Sequence, residues 1–313
     1  MGVGAVRILV LGGAGYIGSV LCPMLVERGH HVTVLDNFLY KQQGANSLAA
    51  LCRFQNFDVY RVDVRDKNAV APHLKRADVI VPLAALVGAP LCDLNPVDAE
   101  LVNLRHPLEL FGQLSASQLC VMPTTESAYG ANESVCTEET PINPLSTYAR
   151  HKARVERALL DSTNSISLRL ATVFGMSPRM RLDLLVNDFA WKAYKEGAIL
   201  LFEHKFRRTV VHVRDVARAF LHAIEGNLAG SIYNVGSITV SKLELCEALK
   251  EKLGGRFYYT TANTGTDPDQ RNYEVSSAKL LATGYTFTVS LSDGLDELLK
   301  GFRCLSNTVH SNV

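Results

Sequence analysis

The sequence predicts an α/β fold: a doubly wound parallel sheet followed by a smaller α/β C-terminal domain. Three observations predict it. Residues 6–11 form a short run, apolar but for Arg7, that ends in glycines, as suits a strand buried on both faces. Apolar runs and amphipathic stretches then alternate for some 170 residues, and strand–helix–strand repetition builds a parallel sheet with helices on both faces. After Val173 the alternation loosens.

The elements follow in order. A helix over 16–28 is stopped by Gly29, and a second buried strand over 31–35 ends at Asp36. Further strands are expected at 59–62, 79–83, 119–122 and 166–170, with helices at 67–75, 97–115 and 147–161. Residues 176–182 read as a loop rich in Arg and Pro. Helices at 184–195, 214–224, 241–252 and 291–299 and short strands at 199–202 and 209–213 fill the remainder. The expected division is residues 1–175 for the first domain and 176–313 mainly for the second. Some later strands and helices return to the first.

Composition narrows the partners. The chain has 313 residues, 47% of them hydrophobic, and a net charge of +1. No global basic field exists to hold nucleic acid or an anionic membrane. The longest apolar stretch, 77–92, is broken by Asp78, Pro82 and Pro90, so no membrane span is expected. Glycines interrupt the N-terminal apolar run, which does not read as a signal peptide. Seven scattered cysteines, an odd number without a C-x-x-C pair, suit reduced thiols in a cytoplasmic protein and no metal site.

Gly12-Gly13-Ala14-Gly15-Tyr16-Ile17-Gly18 lies between the first strand and the first helix. There Gly12 permits the tight turn, Gly15 lets backbone approach a pyrophosphate, and Gly18 lets the helix lie close on the sheet. The helix start supplies free N–H groups and a positive dipole end. This is the signature of a Rossmann-type dinucleotide site. Asp36, ending the second strand, accepts from the adenosine ribose hydroxyls and repels a 2′-phosphate, which selects NAD over NADP. Asp63 ends the next strand, and the small residues of Leu83-Ala84-Ala85 let a cofactor pass close to the fourth.

Tyr148 and Lys152 stand at i, i+4 on one helix face. A phenol ionises near about pH 10. A neighbouring ammonium favours the phenolate, so Tyr148 can serve as a base toward a hydroxyl. Thr125 follows the strand at 119–122, at the carboxyl edge of the sheet, where it can bond a reacting oxygen.

These motifs together resemble the extended short-chain dehydrogenase/reductases of the sugar-nucleotide epimerase/dehydratase family. Gly12 to Gly18, Asp36-Asn37, Asp63-Val64, Leu83-Ala84-Ala85, Thr125 to Gly130, Tyr148 to Lys152, Arg208 to Ala217 and Tyr233 to Gly236 match in order over nearly the whole chain. The resemblance implies NAD as cofactor and a nucleoside-diphosphate sugar oxidised at C4. It makes Tyr148 the base, Lys152 the anchor of the nicotinamide ribose and Thr125 the partner of the C4 oxygen. It adds Asn37, Asp63 and Val64 to the cofactor contacts. It assigns Arg208 and Arg271 to the substrate diphosphate, Asn187 to the vicinity of the nucleotide, and Glu126 to the substrate side. It also implies a homodimer through the helices at 97–115 and 147–161, with Leu101, Leu108, Val155 and Leu159 as candidate apolar contacts.

Within the family, residues 80–92 and 171–188 resemble enzymes acting on GDP-linked heptose at C4, either as dehydrogenase or as epimerase. A UDP-hexose 4-epimerase is the alternative. A non-catalytic NAD-sensing protein on the same fold would be expected to lose Tyr148 or Lys152, and this chain keeps both. Two departures matter. The 4,6-dehydratases place a C5 base two residues after the Thr, where this chain has Ser127, so elimination is disfavoured. Pro82-Leu83 replaces the usual His before the Ala-Ala pair, which removes no catalytic group.

Overall fold

Seven parallel strands set the frame of the molecule, described here from a computed structural model over residues 4–40, 46–132, 134–162, 164–226, 228, 230–262 and 272–305. They are β1 (Arg7–Leu11), β2 (His31–Asp36), β3 (Phe57–Arg61), β4 (Val79–Pro82), β5 (Leu119–Thr125), β6 (Ser165–Leu170) and β7 (Ser231–Val235). Their order across the sheet is β3-β2-β1-β4-β5-β6-β7. The winding reverses between β1 and β4, and the carboxyl ends of those strands open the crevice where such sheets bind ligands. Burial follows from the apolar runs: Ile8, Leu9, Val10 and Leu11 are all at most 1% exposed.

Helices α1 (Gly18–Glu27), α2 (Lys67–Leu74) and α3 (Thr147–Ser162) accompany the first six strands. After β6 the chain forms α4 (Leu185–Lys195) and α5 (Val213–Glu225) before β7. α5 then packs beside α1, and β7 joins the sheet against β6. α6 (Lys242–Leu253) begins with a capping box between Ser241 and Glu244, and α7 (Leu291–Gly301) is capped by Ser290. Small sheets surround the cavity: Arg207–His212 pairs with Thr172–Phe174 and Ile238–Ser241, and Tyr258–Thr261 with Ala198–Leu201.

Two expectations change. The helix expected at 97–115 is three pieces: Pro96–Glu100, a wider π turn over Leu101–Arg105, and His106–Phe111. Pro107 has no N–H to give and its ring crowds the preceding turn, so the helical ladder is re-formed around it. The fifth strand runs on to Thr125 rather than stopping at 122. Pro123 masked the extension. It is tolerated because β4 pairs with β5 only at Leu119 and Cys120; beyond them, β5 is held by β6 alone. Val155 and Leu159 pack inward with Cys120 and Met122, and Leu101 and Leu108 are half-buried. No helix among the described residues is long and apolar enough to cross a membrane.

Candidate active site

A cavity of about 1370 Å³ runs along the carboxyl edge of the sheet. At its cofactor end the walls include Gly12, Gly15, Tyr16, Ile17, Gly18, Asp36, Asn37, Asp63 and Val64. Leu83, Ala84 and Ala85 continue the wall toward Thr125, Tyr148 and Lys152, and Arg208 lies in the part beyond. Residues dispersed over some two hundred positions are thus brought to one space.

The glycine turn is built for close approach. Gly12 has φ +82°, and a Cβ there would lie 2.6 Å from the Ala84 nitrogen. A Cβ on Gly15 would meet only the Gly12 carbonyl, at 3.3 Å, which leaves open space on the ligand side. The division of labour differs from expectation at Gly18: its Cβ would strike the Gly13 carbonyl at 2.4 Å, so Gly18 packs on the turn itself. Gly13 makes the approach to the sheet, with Val34 of β2 2.8 Å from its notional Cβ. This cradle, the helix start behind it and the carboxylate beside it fit a dinucleotide.

Asp36 accepts from the Ala14 N–H at 2.9 Å and the Phe38 N–H at 2.7 Å, one on each oxygen. Burial lifts its carboxyl above the usual range against the pull of those two donors. Asp63 behaves oppositely: hydrogen bonds from the Arg65 guanidinium hold it well below the usual carboxylate range. The Asn37 amide donates to Asp63 at 3.2 Å, which ties the ends of β2 and β3 together.

At the other end, Lys152 is 3% exposed and donates to the Pro123 carbonyl at 3.1 Å. Burial pushes its ammonium down to about 8. The Thr125 hydroxyl accepts from the Ser127 N–H at 3.1 Å and caps the short helix Glu126–Tyr129. Below them sits a dry ionic layer. Glu156, one turn beyond Lys152, receives Thr124 at 2.8 Å, Ser167 at 2.6 Å and Arg169 at 2.6 Å. Arg169 continues to the Tyr129 hydroxyl at 2.8 Å, and Tyr129 to Asn234 at 2.7 Å.

Two expected site residues fall elsewhere. Glu126 is fully buried and is not part of the cavity wall; its carboxyl stands near the backbone of Gly236 and has no hydrogen-bond partner among the described residues. Burial pushes its pKa well above the usual carboxylate range. Asn187 also lies behind the wall. Its amide bonds Gly175 N at 2.9 Å, the Arg181 carbonyl at 2.8 Å and the Tyr16 hydroxyl at 3.1 Å, which consumes it structurally. Arg271 is outside the described residues. Sequence reasoning missed Asn103, whose amide grips both N–H and C=O of Leu86 at 2.8 Å and fixes the wall segment after β4. Its only sequence signal is a lone Asn inside an apolar helix.

Comparison with known proteins agrees with this geometry. Residues 8–236 match the NAD dependent epimerase/dehydratase family. UDP-glucuronic acid decarboxylase 1 of Arabidopsis thaliana is 28% identical over 313 residues, covering 95% of this chain and 70% of the relative. The Thermus thermophilus UDP-glucose 4-epimerase, solved with NAD, superposes with a TM-score of 0.81 at 28% identity over 95% of this chain and 99% of that one. The UDP-glucuronic acid 4-epimerase of Bacillus cereus, solved with UDP-glucuronic acid and NAD, has a TM-score of 0.85 at 24% identity over 96% and 100%, and shares the fold. With the glycine cradle, Asp36 and the Thr125–Tyr148–Lys152 wall on one cavity, the chain belongs to the NAD dependent epimerase/dehydratase family of sugar-nucleotide enzymes, whose cofactor is NAD.

Proposed function

We propose that the protein oxidises C4 of a nucleoside-diphosphate sugar, with Tyr148 as base, Lys152 as its electrostatic partner and Thr125 as the hydrogen-bond partner of the C4 oxygen. The observation that carries this reading is that all three open on the same cavity as the Gly12–Gly15 cradle. Tyr148 takes the proton of the C4 hydroxyl as the C4 hydrogen leaves with its electron pair; NAD, when bound, accepts that hydride. Lys152, fixed by the Pro123 carbonyl, holds positive charge beside the forming phenolate. Arg208, 2% exposed on the cavity wall, suits the substrate diphosphate through its planar fork.

The outcome we favour is a 4-keto sugar, or its C4 epimer after the hydride returns, on a GDP-heptose-like substrate. Its support is the resemblance of residues 80–92 and 171–188 to enzymes of that class. A UDP-hexose 4-epimerase is the second reading, supported by the similarity to a UDP-glucose 4-epimerase. Elimination of water is disfavoured: Ser127 occupies the position of the C5 base, and the neighbouring carboxyl of Glu126 is buried off the cavity. A homodimer through Pro96–Phe111 and α3 belongs to the same proposal, with Leu101 and Leu108 as the partly exposed contacts.

The test is a panel of GDP- and UDP-linked sugars incubated with enzyme and NAD in heavy water, read by reduced-cofactor absorbance and product mass. A 4-keto or 4-epimeric product is expected. A 4-keto-6-deoxy product carrying C5 deuterium overturns the reading.

A further inference from the structure

Arg179 is 2% exposed, and its Nε has no hydrogen-bond partner among the described residues. Its guanidinium lies 3.6 Å from the ring centre of Tyr40, whose hydroxyl is also shut from solvent and without a partner among those residues. Both side chains line the cavity at its cofactor end, with Gly15 and Asp36. The backbone that carries Arg179 is tied to the start of α1. Ser177 donates to the Tyr16 carbonyl at 2.7 Å and lies 2.9 Å from the Ser19 hydroxyl, which in turn accepts from the Arg179 N–H at 3.4 Å.

A guanidinium withdrawn from water with an unspent N–H is costly. Stacking on a phenol ring offsets part of that cost. Of the carboxylates that act on Arg179, Asp36 already receives backbone N–H groups on both oxygens and Asp183 is paired with Arg181. What the location lacks is an anion with several acceptor oxygens. The open face of Gly15 at the first turn of α1 is where such an anion is drawn.

We propose that Arg179 joins the glycine turn in holding the cofactor's pyrophosphate, with the Tyr40 ring as the platform that keeps its guanidinium in place. The chemistry is a charge-assisted, planar donor set on a phosphate. It makes the segment after β6 a cofactor contact as well as a substrate-side loop.

The inference rests on NAD being the cofactor and not on the identity of the sugar, and its test uses binding alone. Cofactor-stripped parent, Arg179→Met, Arg179→Lys and Tyr40→Leu are titrated calorimetrically with NAD, ADP-ribose, adenosine, NADP, UDP and GDP. Near-ultraviolet circular dichroism and thermal unfolding establish that each variant is folded. Arg179→Met is expected to weaken NAD and ADP-ribose by about ten- to hundredfold and to leave adenosine, UDP and GDP unchanged. Added salt should weaken the parent more than this variant. Arg179→Lys keeps the charge without the fork and recovers part of the loss; where the Met variant does not fold, Arg179→Lys carries the test through a several-fold weakening of ADP-ribose. Tyr40→Leu should show a smaller loss in the same ligands. Unchanged NAD and ADP-ribose binding in a folded variant overturns the proposal. So does a loss confined to UDP and GDP, which assigns Arg179 to the substrate, or one confined to NADP, which assigns it to a 2′-phosphate.

Discussion

The end of β5 separates two polar regions that solve opposite problems. In the layer around Glu156, a carboxylate 4% exposed faces a guanidinium 5% exposed, and hydroxyls of Thr124 and Ser167 complete the set. On the cavity wall, Lys152 has the Pro123 carbonyl and Arg179 keeps an Nε without a partner among the described residues. The first region is saturated and holds shape. The second leaves donors unspent for a ligand. Glu126, in the same segment as Thr125, is a third solution: a carboxyl buried without a partner among the described residues, its pKa raised by that burial.

The largest effect expected is kinetic and confined to the cavity. Tyr148→Phe deletes one hydroxyl and should lower single-turnover NAD reduction by about 10²–10⁴-fold with unfolding midpoint and NAD affinity unchanged. Lys152→Met should lower both rate and NAD affinity, and its stability should not fall, because the substitution removes a buried cation. A Tyr148→Phe enzyme that reduces NAD at the parent rate removes Tyr148 from the mechanism and breaks the contrast between the regions.

Glu156→Ala should do the converse. It strands Arg169 in the dry layer and should cost about 3–5 kcal/mol in denaturant unfolding. Whatever folded protein remains should bind NAD normally, since no group of the cofactor end is touched. A loss under 1 kcal/mol would show that water reaches the layer.

Thr125→Val stands between the two. It removes a hydrogen bond to the substrate oxygen, for about three- to tenfold in turnover, and a helix cap, for about 1 kcal/mol in stability. A stability change without a kinetic one would make Thr125 a cap only.

A further effect appears only as a function of pH. The Glu126 carboxyl has a folded pKa above its unfolded one, so the stability gained by keeping it neutral is complete below the ordinary glutamate range and is lost as pH rises through the folded value. Glu126→Gln should therefore match the parent in acid and become progressively more stable relative to it with rising pH, by up to about 1.4 kcal/mol per pH unit. Parallel curves for the two proteins would mean that Glu126 is ionised and paired.

What the sequence disclosed is what local spacing encodes. The glycine turn, Asp36, and Tyr148 with Lys152 depend on a strand end or one helix turn, and all reach the cavity. Asn187 has its three partners at Tyr16, Gly175 and Arg181, contacts that only the folded chain brings together. Glu126 is buried and lies off the cavity wall, which motif position does not report. Asn103 and Arg179 carry no motif; their meaning lies in what faces them. The continuation of β5 was hidden by Pro123, whose acceptability depends on where β4 stops pairing.

The Tyr16 hydroxyl, within the glycine motif itself, is bonded to the Gly175 carbonyl at 2.7 Å across a separation of 159 residues. The nucleotide turn therefore does not own all of its supports. A chimaera that keeps residues 1–174 and grafts on a foreign C-terminal half inherits the glycines but not the carbonyl of Gly175, the amide of Asn187 or the hydroxyl of Ser177 that steady the start of α1. Domain exchange in this fold has to carry that seam across the cut, or the recipient loses grip on its cofactor while its motif remains intact.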